Sequence, residues 1–404
     1  MGFFKNIYAR SFQGIMWIAC HFLNFKEPKV ISGENKLGAI PGLLKENNKT
    51  SVLVVTDEGI WKIGLAKPLI DALEKEGFKY SVYHGVVANP TVDNVEEGLK
   101  IYKENNCDCL VAVGGGSAMD CCKTIAARAV KNKQPVNKMK GLLKVGKKPA
   151  FMVAVPTTAG TGSETTVAAV IVDKANNDKY AINDPHLIPP YAVLDPTLLV
   201  GLPKHITSTT GMDALTHAVE AFIGHSNTKK TYKYGIEATQ LIFKYLEKSV
   251  NEPTNLEYRE QMQIASYKAG VAFTRAYVGS VHALAHALGG KYNVPHGLAN
   301  SIILPIVLKA YGKSAYKKLA ILADAVAIGG GKTREEKAKL FIEEIEKMNE
   351  RMGITNSFGN LIKDEDIEFL VNHAYKEAVP LYPTPRILSK KELTEIYKGL
   401  QKAN

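Results

Sequence analysis

Short apolar runs alternate with segments of helical periodicity through the first half of the chain. The predicted strands are 51–55, 80–83, 109–113, 151–155, 167–172 and 191–194, and the predicted helices are 67–76, 92–105 and 118–130. The runs CLVAV and FMVAV, at 109–113 and 151–155, contain no polar position. Such runs are typical of central parallel strands that are covered on both faces. The alternation therefore predicts a parallel α/β domain.

The pattern changes after Pro203, where helical periodicity continues without strand-type runs. The helical segments are 214–223, 230–247, 257–272, 315–327, 334–351 and 365–378. We therefore predict two domains. The first is an α/β domain at 1–203, whose residues 1–28 form an N-terminal extension, and the second is an all-helical domain at 204–404.

The composition narrows the class of protein. Of the 404 residues, 46% are hydrophobic and 23% are charged, as in an ordinary globular protein. The net charge is +11, but the lysines are spread along the chain. That spread disfavours nucleic-acid binding and indicates a mild attraction for anionic cofactors or substrates. The five cysteines do not resemble a secreted disulfide framework, so we expect a cytoplasmic protein.

The N-terminal extension raises the question of a membrane. No apolar run reaches the ~20 residues of a membrane span. The segment 14–23 (GIMWIACHFL) follows Lys5 and Arg10, but His21 interrupts it and no clear cleavage site follows. We interpret it as an amphipathic extension that packs on the body of the protein or on a partner subunit. Attachment to a membrane surface is the alternative.

Two short stretches place metal-ligand residue types at helical spacing. Asp213 and His217 are four residues apart, His282 and His286 repeat that spacing, and His296 follows in a Pro-His-Gly turn. On a helix, residues four apart lie one turn apart on the same face. A carboxylate with neutral imidazoles suits a first-row divalent ion. The alternative is that each histidine is an ordinary helix residue.

A glycine-rich turn, Gly114-Gly115-Gly116-Ser117, stands where a predicted strand ends and a helix begins. Glycines there let backbone N–H groups approach a pyrophosphate at the helix N-terminus. A tight strand-to-helix turn without a ligand is the alternative. A second Gly/Thr-rich turn at 157–162 follows the next apolar run, so the two turns predict a phosphate-binding crevice.

Acidic residues flank this predicted crevice. Asp57 ends the first strand, where a carboxylate can bind a ribose hydroxyl and would repel a 2′-phosphate, which favours NAD over NADP. A helix N-cap is the alternative role for Asp57. Asp120 and Lys123 are one helical turn apart, and they form either an ion pair without chemistry or part of the mouth of the crevice.

Four longer segments carry a family resemblance. They are GGGSAMDCCK at 114–123, VPTTAGTGSE at 155–164, TSTTGMDALTHAVEAF at 207–222 and HALAHALGGKYNVPHGLAN at 282–300. In these segments and their order the chain resembles the iron-dependent (group III) alcohol dehydrogenases. The resemblance implies a dehydroquinate synthase-like fold, in which an α/β dinucleotide-binding domain precedes an all-helical metal-binding domain and the site lies in the cleft between them.

The same resemblance implies roles for individual residues. His286 matches a histidine near the site that takes part in proton movement without binding the metal. The implied metal is Fe²⁺, with Zn²⁺ as the alternative because raw affinity favours it. The implied metal ligands are Asp213, His217, His282 and His296. The predicted NAD-binding residues are Asp57, Asn89, Gly114, Gly115, Gly116, Ser117, Asp120, Thr157, Thr158, Thr161, Lys179 and Leu198.

The implied activity is reversible hydride transfer between an alcohol and its aldehyde or ketone, with the metal acting as a Lewis acid on the substrate oxygen. The expected partners are a small-molecule substrate and further copies of the chain, in a homodimer or larger oligomer. Arg275 departs from the small or amide residue of many relatives. An Arg275 that faces the cleft would bind an anionic substrate such as a hydroxyacid or its semialdehyde, and an arginine on the helix surface or between the domains is the alternative. A hydroxyacid or semialdehyde dehydrogenase and a hydroxyacid–oxoacid transhydrogenase therefore stay open. A phosphosugar-converting enzyme of the same fold and a non-enzymatic metal- or nucleotide-binding protein also remain as alternatives.

Overall fold

The computed structural model describes residues 2–23, 25–176, 178–330 and 333–402. Within them the chain forms two compact units. The α/β unit comprises Asn24–Gly201 and Thr254–Gln263. The helical unit comprises Met1–Leu23, Leu202–Pro253 and Ile264–Asn404. Among the described residues, no helix combines the length and the apolar character needed to cross a membrane.

The strands lie in the α/β unit. They are β1 Lys29–Ser32, β2 Ser51–Asp57, β3 Lys79–Val86, β4 Cys109–Gly114, β5 Gly141–Leu142, β6 Phe151–Pro156, β7 Ala168–Asp173, β8 Asp178–Asn183 and β9 Tyr191–Leu194. The described helices are α1 Gly2–Ala19, α2 Ile40–Glu46, α3 Glu58–Lys62, α4 Lys67–Lys75, α5 Val92–Glu104, α6 Gly116–Val130, α7 Lys204–Ile223, α8 Lys229–Asn251, α9 Leu256–Ala276, α10 Ser280–Tyr292, α11 His296–Tyr311, α12 Lys313–Ala325, α13 Arg334–Arg351, α14 Ile367–Ala378 and α15 Lys390–Leu400.

The main sheet has six strands in the order β1-β9-β6-β4-β2-β3, and every pair in it is parallel. Every residue of β4 is buried, and so are all but the last of β2 and all but the first of β6. The strands β4 and β6 contain the two runs without a polar position, and burial on both faces explains that composition. The predicted parallel α/β domain is confirmed.

Parallel strands bring their carboxyl ends to one edge of the sheet. Asp57 ends β2 and Gly114 ends β4, while Gly114 pairs in register with Pro156 at the end of β6. The turns that follow these neighbouring strands therefore meet at the same edge, where ligands of open α/β sheets bind. The register of the sheet alone brings the two Gly/Thr-rich turns together.

The remaining three described strands form a smaller sheet in the order β5-β8-β7, and its β7–β8 pair is antiparallel. The run at 167–172 predicts β7, but nothing in the periodicity predicts β8. The reason is that β8 (DKYAIN) is polar at Asp178, Lys179 and Asn183, so it contains no apolar run.

The helical unit contains α1, α7, α8, the part of α9 after Gln263 and the helices from α10 onward. The described residues from 204 to 402 include no strand, which confirms the second half of the predicted fold class. The helix α7 is buried around most of its circumference. It nevertheless carries the ionisable residues Asp213, His217 and Glu220, all of them buried. Buried polar side chains require partners, and these partners form the site described next.

Candidate active site

Three helices bring the predicted metal ligands together. Asp213 and His217 stand one turn apart on α7, His282 is on the first turn of α10, and His296 begins α11. One ligand atom from each of the four residues lies within 4.8 Å of the others. Asp213, His217 and His282 are buried, whereas the side chain of His296 is 38% exposed, so the cluster opens on the His296 side.

The electrostatics of the cluster suit a cation. His296 Nε2 is 3.5 Å and His282 Nε2 is 4.0 Å from Asp213 Oδ1. Burial and the neighbouring imidazoles of His217, His296 and His286 lower the pKa of His282 well below its usual value. Neutral imidazoles and an ionised carboxylate are the forms that bind a divalent metal. The donor set and its convergence therefore fit a first-row divalent ion.

Glu220 orients one of these imidazoles. Its Oε2 atom lies 2.6 Å from His282 Nδ1, and its carboxylate accepts the backbone N–H groups of Gly279 and Val281 at 2.8 Å each. Burial raises the pKa of Glu220 to about 7, although these hydrogen bonds oppose the shift. With Nδ1–H donated to Glu220, the His282 Nε2 lone pair points to the other ligands, as in carboxylate–histidine–metal arrangements.

Asn300 is a second partner of the cluster. It is fully buried on α11, one turn after His296, and its Nδ2 donates to Asp213 Oδ1 at 2.6 Å. The same nitrogen is 3.0 Å from His296 Nε2. Among the described residues, Asn300 Oδ1 has no hydrogen-bond partner. This amide therefore orients the only carboxylate of the ligand set.

The sequence patterns described above give no role to Glu220 or Asn300. A signal for each exists in the sequence, since Glu220 is three residues after His217 and Asn300 is four after His296. Both spacings keep a side chain on the helix face of the preceding ligand. The spacing indicates the face but not the partner.

We expect Glu220→Gln to weaken divalent metal binding by about 10–100-fold, the usual effect of removing a carboxylate behind a ligating histidine. Glutamine keeps the size of the side chain but removes the charge that stabilises the N–H of His282. The measurement is a Co²⁺ or Zn²⁺ titration of the metal-free protein against a competing chelator. Glu395→Gln, at an exposed position of α15, is the matched control. Equal metal affinities for the two variants would contradict the role of Glu220.

His286 lies one turn after His282 on α10, beside the cluster. Its ring stacks on His296 with centroids 5.1 Å apart, and its Nδ1 is 2.6 Å from Glu377 Oε1. The same Glu377 oxygen accepts the hydroxyl of Tyr382 at 2.7 Å. Burial by itself raises the pKa of Glu377, but these two partners outweigh it and lower the pKa overall. An ionised Glu377 holds Nδ1–H of His286, which leaves Nε2 to exchange a proton.

An aromatic ring covers His217. The ring of Phe273, in the last turn of α9, stacks on His217 with centroids 4.1 Å apart and planes 14° apart. Arg275 follows two residues later in the same turn and is half-buried. The hydrophobic cover limits access of water to the ligand on that side.

The predicted phosphate-binding turn forms at the edge of the main sheet. The strand β4 ends at Gly114, Gly115 caps α6, and α6 begins at Gly116. A Cβ on Gly114 would lie 2.6 Å from the Cβ of Ala118, which is closer than real Cβ atoms approach. Only glycine therefore allows this tight connection, and it directs the first N–H groups of α6 outward, where an anion can bind.

The second Gly/Thr-rich turn lies against the first. The backbone N–H of Thr157 donates to the Gly114 carbonyl at 3.1 Å. The positions that a Cβ would take on the next two glycines are 3.7 Å from Thr158 and 3.0 Å from Thr161. The structure thus brings together the glycines and all three threonines of the predicted cofactor set.

Asp57 lies at the same edge. Its Oδ1 accepts the N–H of Ile60 at 2.9 Å and caps α3, which is the alternative role predicted for it. Its Oδ2 is 3.6 Å from the position of a Cβ on Gly114. A carboxylate has enough lone pairs to cap a helix and still accept a ribose hydroxyl, so both roles are compatible.

Four more residues of the predicted cofactor set lie in other segments of the α/β unit. Asn89 accepts a hydrogen bond from Lys179 Nζ at 2.7 Å, which joins these two to each other. Ser117 is half-buried in the first turn of α6. Leu198 is 4% exposed in the short 3₁₀ segment Pro196–Leu199. Their roles in cofactor binding stay predictions.

Asp120 and Lys123 are both tied into the fold. Asp120 accepts the hydroxyl of Ser163 at 2.7 Å and the N–H of Val170 at 2.9 Å. Lys123 is fully buried and donates to Ser163 Oγ and to three oxygens of the 166–168 segment. Burial lowers the pKa of Lys123 to about 8. The two side chains hold the segment after the second turn against α6, and the cofactor role of Asp120 stays a prediction.

Comparison with known families and proteins agrees with this architecture. Residues 27–196 match the model of the iron-containing alcohol dehydrogenase family, and residues 207–400 match the model of the C-terminal domain of the Fe-containing alcohol dehydrogenase family. Alcohol dehydrogenase 4 of Schizosaccharomyces pombe is 37% identical over 357 residues, which cover 87% of this chain and 84% of the relative.

Two further proteins extend the similarity. The NAD-dependent methanol dehydrogenase of Bacillus methanolicus is 34% identical over 377 residues, 93% of this chain and 98% of the relative. The crystal structure of a 1,3-propanediol oxidoreductase superposes with a TM-score of 0.90 at 32% identity, and it covers 94% of this chain and 99% of its own. The chain therefore belongs to the iron-containing alcohol dehydrogenase family, as an oxidoreductase that interconverts alcohols and aldehydes.

Proposed function

We propose that this protein is a metal-dependent, NAD(H)-linked dehydrogenase that interconverts a small alcohol with its aldehyde or ketone. The observation that carries the proposal is the convergence of Asp213, His217, His282 and His296 on one point, with their ligand atoms within 4.8 Å of one another. The position of His286 beside this cluster adds a group that can move a proton.

Asp213 and the three histidines would hold the metal ion. Bound there, a divalent ion supplies Lewis-acid chemistry, which lowers the pKa of an alcohol and stabilises the developing negative charge. We propose Fe²⁺ as the ion, with Zn²⁺ as the competitor because it accepts the same donors with higher raw affinity. Glu220 and Asn300 keep two of the ligands oriented, so the site needs little rearrangement on binding.

The cofactor proposal rests on the edge of the main sheet. The N–H groups at the start of α6 would bind the pyrophosphate, and Thr157, Thr158 and Thr161 would line the same crevice. Asp57 would accept the ribose hydroxyls and repel a 2′-phosphate, so we propose NAD and not NADP. The dinucleotide itself supplies the hydride chemistry, and the chain contributes binding and orientation. The name of the methanol dehydrogenase relative, which includes NAD dependence, supports this choice.

The proton would pass through His286. Because Nδ1 of His286 is committed to Glu377 at 2.6 Å, its Nε2 can accept the substrate proton and release it to solvent. The side chain of His286 is 31% exposed, so a path to water exists without rearrangement of the ring. This arrangement assigns His286 a proton-transfer role and Glu377 a positioning role.

The state of the cysteines bears on the proposed location of the protein in the cell. All five cysteines are free and buried, which supports a reducing cytoplasmic location.

We also propose that the protein assembles as a homodimer or larger homo-oligomer, which analytical ultracentrifugation would measure directly.

An NADH-consumption screen tests the proposed function. The protein is purified anaerobically, stripped of metal, and reconstituted with Fe²⁺ or Zn²⁺ before it is offered short aldehydes, diol-derived aldehydes and semialdehydes. We expect oxidation of NADH that depends on added metal and is slower with NADPH. Equal rates with and without metal would overturn the metal-dependent mechanism, and a preference for NADPH would overturn the role of Asp57.

Arg275 supports a second candidate, a dehydrogenase for hydroxyacids or semialdehydes. It stands two residues after Phe273, whose ring covers the ligand His217. If its guanidinium binds the substrate carboxylate, Arg275→Ala should lower kcat/KM for charged aldehydes by about 10–100-fold, the value of one hydrogen bond to a charged group, and leave neutral aldehydes unchanged. The exposed Arg334→Ala is the control. An unchanged preference between charged and neutral aldehydes would remove Arg275 from substrate recognition.

The same screen separates a transhydrogenase from a dehydrogenase. A transhydrogenase keeps its dinucleotide bound and passes the hydride from one organic substrate to another. It would therefore fail to turn over free NADH but exchange a hydroxyacid with an oxoacid. Sustained consumption of free NADH decides for the dehydrogenase.

A further inference from the structure

The N-terminal helix α1 lies outside the part of the chain that matches the family model, which begins at residue 27. The chemistry proposed above therefore assigns it no role. One face of it is nevertheless buried in the helical unit, since Ala9 is 0%, Gln13 7% and, just beyond the helix, Cys20 6% exposed. These positions are four and seven apart, which is one stripe of a helix. The helix is therefore packed against the helical unit through one narrow stripe between Ala9 and Cys20.

The buried face of α1 binds the backbone of one loop. Gln13 Nε2 donates to the carbonyl oxygens of Pro380 and Tyr382 at 2.8 and 2.9 Å. Arg10 donates to the Thr384 carbonyl at 2.9 Å and to Gln13 Oε1 at 2.9 Å. The Gln13 amide thus has partners for both its nitrogen and its oxygen. We call residues 379–386 the positioning loop.

The positioning loop reaches the candidate active site through one side chain. The hydroxyl of Tyr382 donates to Glu377 Oε1 at 2.7 Å, and this same oxygen is 2.6 Å from His286 Nδ1. Gln13 binds the carbonyl of Tyr382 itself, so the contacts run from Gln13 to Tyr382, then to Glu377, and then to His286. Each link is a direct hydrogen bond, and all four residues belong to the helical unit.

Other parts of the chain also hold the loop. The backbone N–H of His225 donates to the Pro383 carbonyl at 2.7 Å, and the Tyr382 N–H donates to the Ala378 carbonyl at 2.8 Å. These bonds fix the middle of the loop and its junction with α14. The contacts from α1 differ from these, because Gln13 donates to the carbonyls of Pro380 and Tyr382. The backbone at these two positions determines the direction in which the Tyr382 ring points. Without Gln13 the Pro380 carbonyl loses its described donor, and the Tyr382 carbonyl keeps only the Thr384 N–H. A carbonyl left unpaired away from water is unfavourable, so loss of Gln13 would favour another loop conformation.

We propose that α1 is a positioning element of the active site: Arg10 and Gln13 hold the positioning loop so that Tyr382 orients Glu377 and, through it, His286. The proposal rests on the proposed function in one respect, the proton-transfer role of His286. In this assignment Gln13, Tyr382 and Glu377 are positioning residues, and the ring of His286 is the group whose orientation they set. A misplacement of about 1 Å at such a group is enough to slow a reaction by up to about 100-fold.

The first test measures the loop without activity. Hydrogen–deuterium exchange is followed on the metal-free protein at two amides, that of Tyr382, which donates to the Ala378 carbonyl, and that of Thr384, which donates to the Tyr382 carbonyl. In Gln13→Ala we expect these amides to exchange about tenfold faster, while amides of α11 stay as in the parent. Ser11→Ala, on the exposed face of α1, is the matched control and should match the parent. If Gln13→Ala does not fold, Arg10→Ala replaces it.

The second test asks whether the loop acts through Tyr382. We expect Gln13→Ala and Tyr382→Phe each to lower kcat by about five- to tenfold with KM nearly unchanged, and the double variant to lose no more than the larger single effect. Crystals of Gln13→Ala should contain a longer His286–Glu377 separation. Unchanged loop exchange, or kcat losses that multiply in the double variant, would overturn the proposal. Absence of dehydrogenase activity in the parent would instead contradict the proposed function, and the exchange and crystal data would still decide whether α1 positions the loop and His286.

Discussion

Replacing His282 with alanine is expected to lower divalent metal affinity by more than about 100-fold and to reduce dehydrogenase activity to background. Removal of a group that only hydrogen-bonds to a metal ligand lowers metal affinity by about 10–100-fold, so removal of the ligand itself should lower it further. The substitution removes a ligand nitrogen from the centre of the cluster and leaves the carboxylate of Glu220 without its imidazole partner. His286 stands one turn further along α10 with its Nδ1 held by Glu377, so it does not occupy the position that His282 leaves.

Metal content and thermal unfolding measure this outcome independently of substrate. Metal that binds only the folded state raises its melting temperature, so added Fe²⁺ or Zn²⁺ should stabilise the parent and leave His282→Ala unchanged. His205→Ala is the matched control, because His205 is exposed on α7, the helix that carries two of the ligands. One equivalent of metal bound to His282→Ala with parental affinity would show that the ion binds elsewhere.

Gly114→Ala is expected to lower kcat/KM for NADH by about 100-fold, which is the scale of a 1 Å displacement at a binding site. The added methyl group would lie 2.6 Å from the Cβ of Ala118. Neither atom can rotate away, because both are attached directly to the backbone. The N-terminus of α6 must therefore move, and with it the N–H groups proposed to bind the pyrophosphate.

Gly42→Ala makes the same chemical change within the α/β unit at a position in α2 where nothing lies within 4 Å of the new Cβ. It should bind NADH like the parent and be folded as well as the parent. A dissociation constant measured by NADH fluorescence compares the two variants without turnover. Parental affinity in Gly114→Ala would remove the glycine turn from the cofactor site.

Some features of the fold and of the candidate site can be predicted from the sequence, and others cannot. The apolar runs of β4 and β6 predict a parallel sheet because strands covered on both faces are apolar throughout. The spacing of Asp213 and His217 predicts a shared helix face because residues four apart on a helix lie one turn apart. The strand β8 could not be predicted, since polar residues at both of its ends leave too few apolar positions for a strand pattern.

The sequence by itself therefore determined the alternation of the central strands with helices, the metal-ligand residue types and the glycine turn, all of which depend on neighbours within a few residues. Only the tertiary structure decided which partners orient those groups. Glu220 binds His282 across 62 residues, Glu377 binds His286 across 91, and Gln13 binds Pro380 across 367. The physical reason is that periodicity specifies which side chains share a face, whereas the partner of that face depends on how distant segments pack.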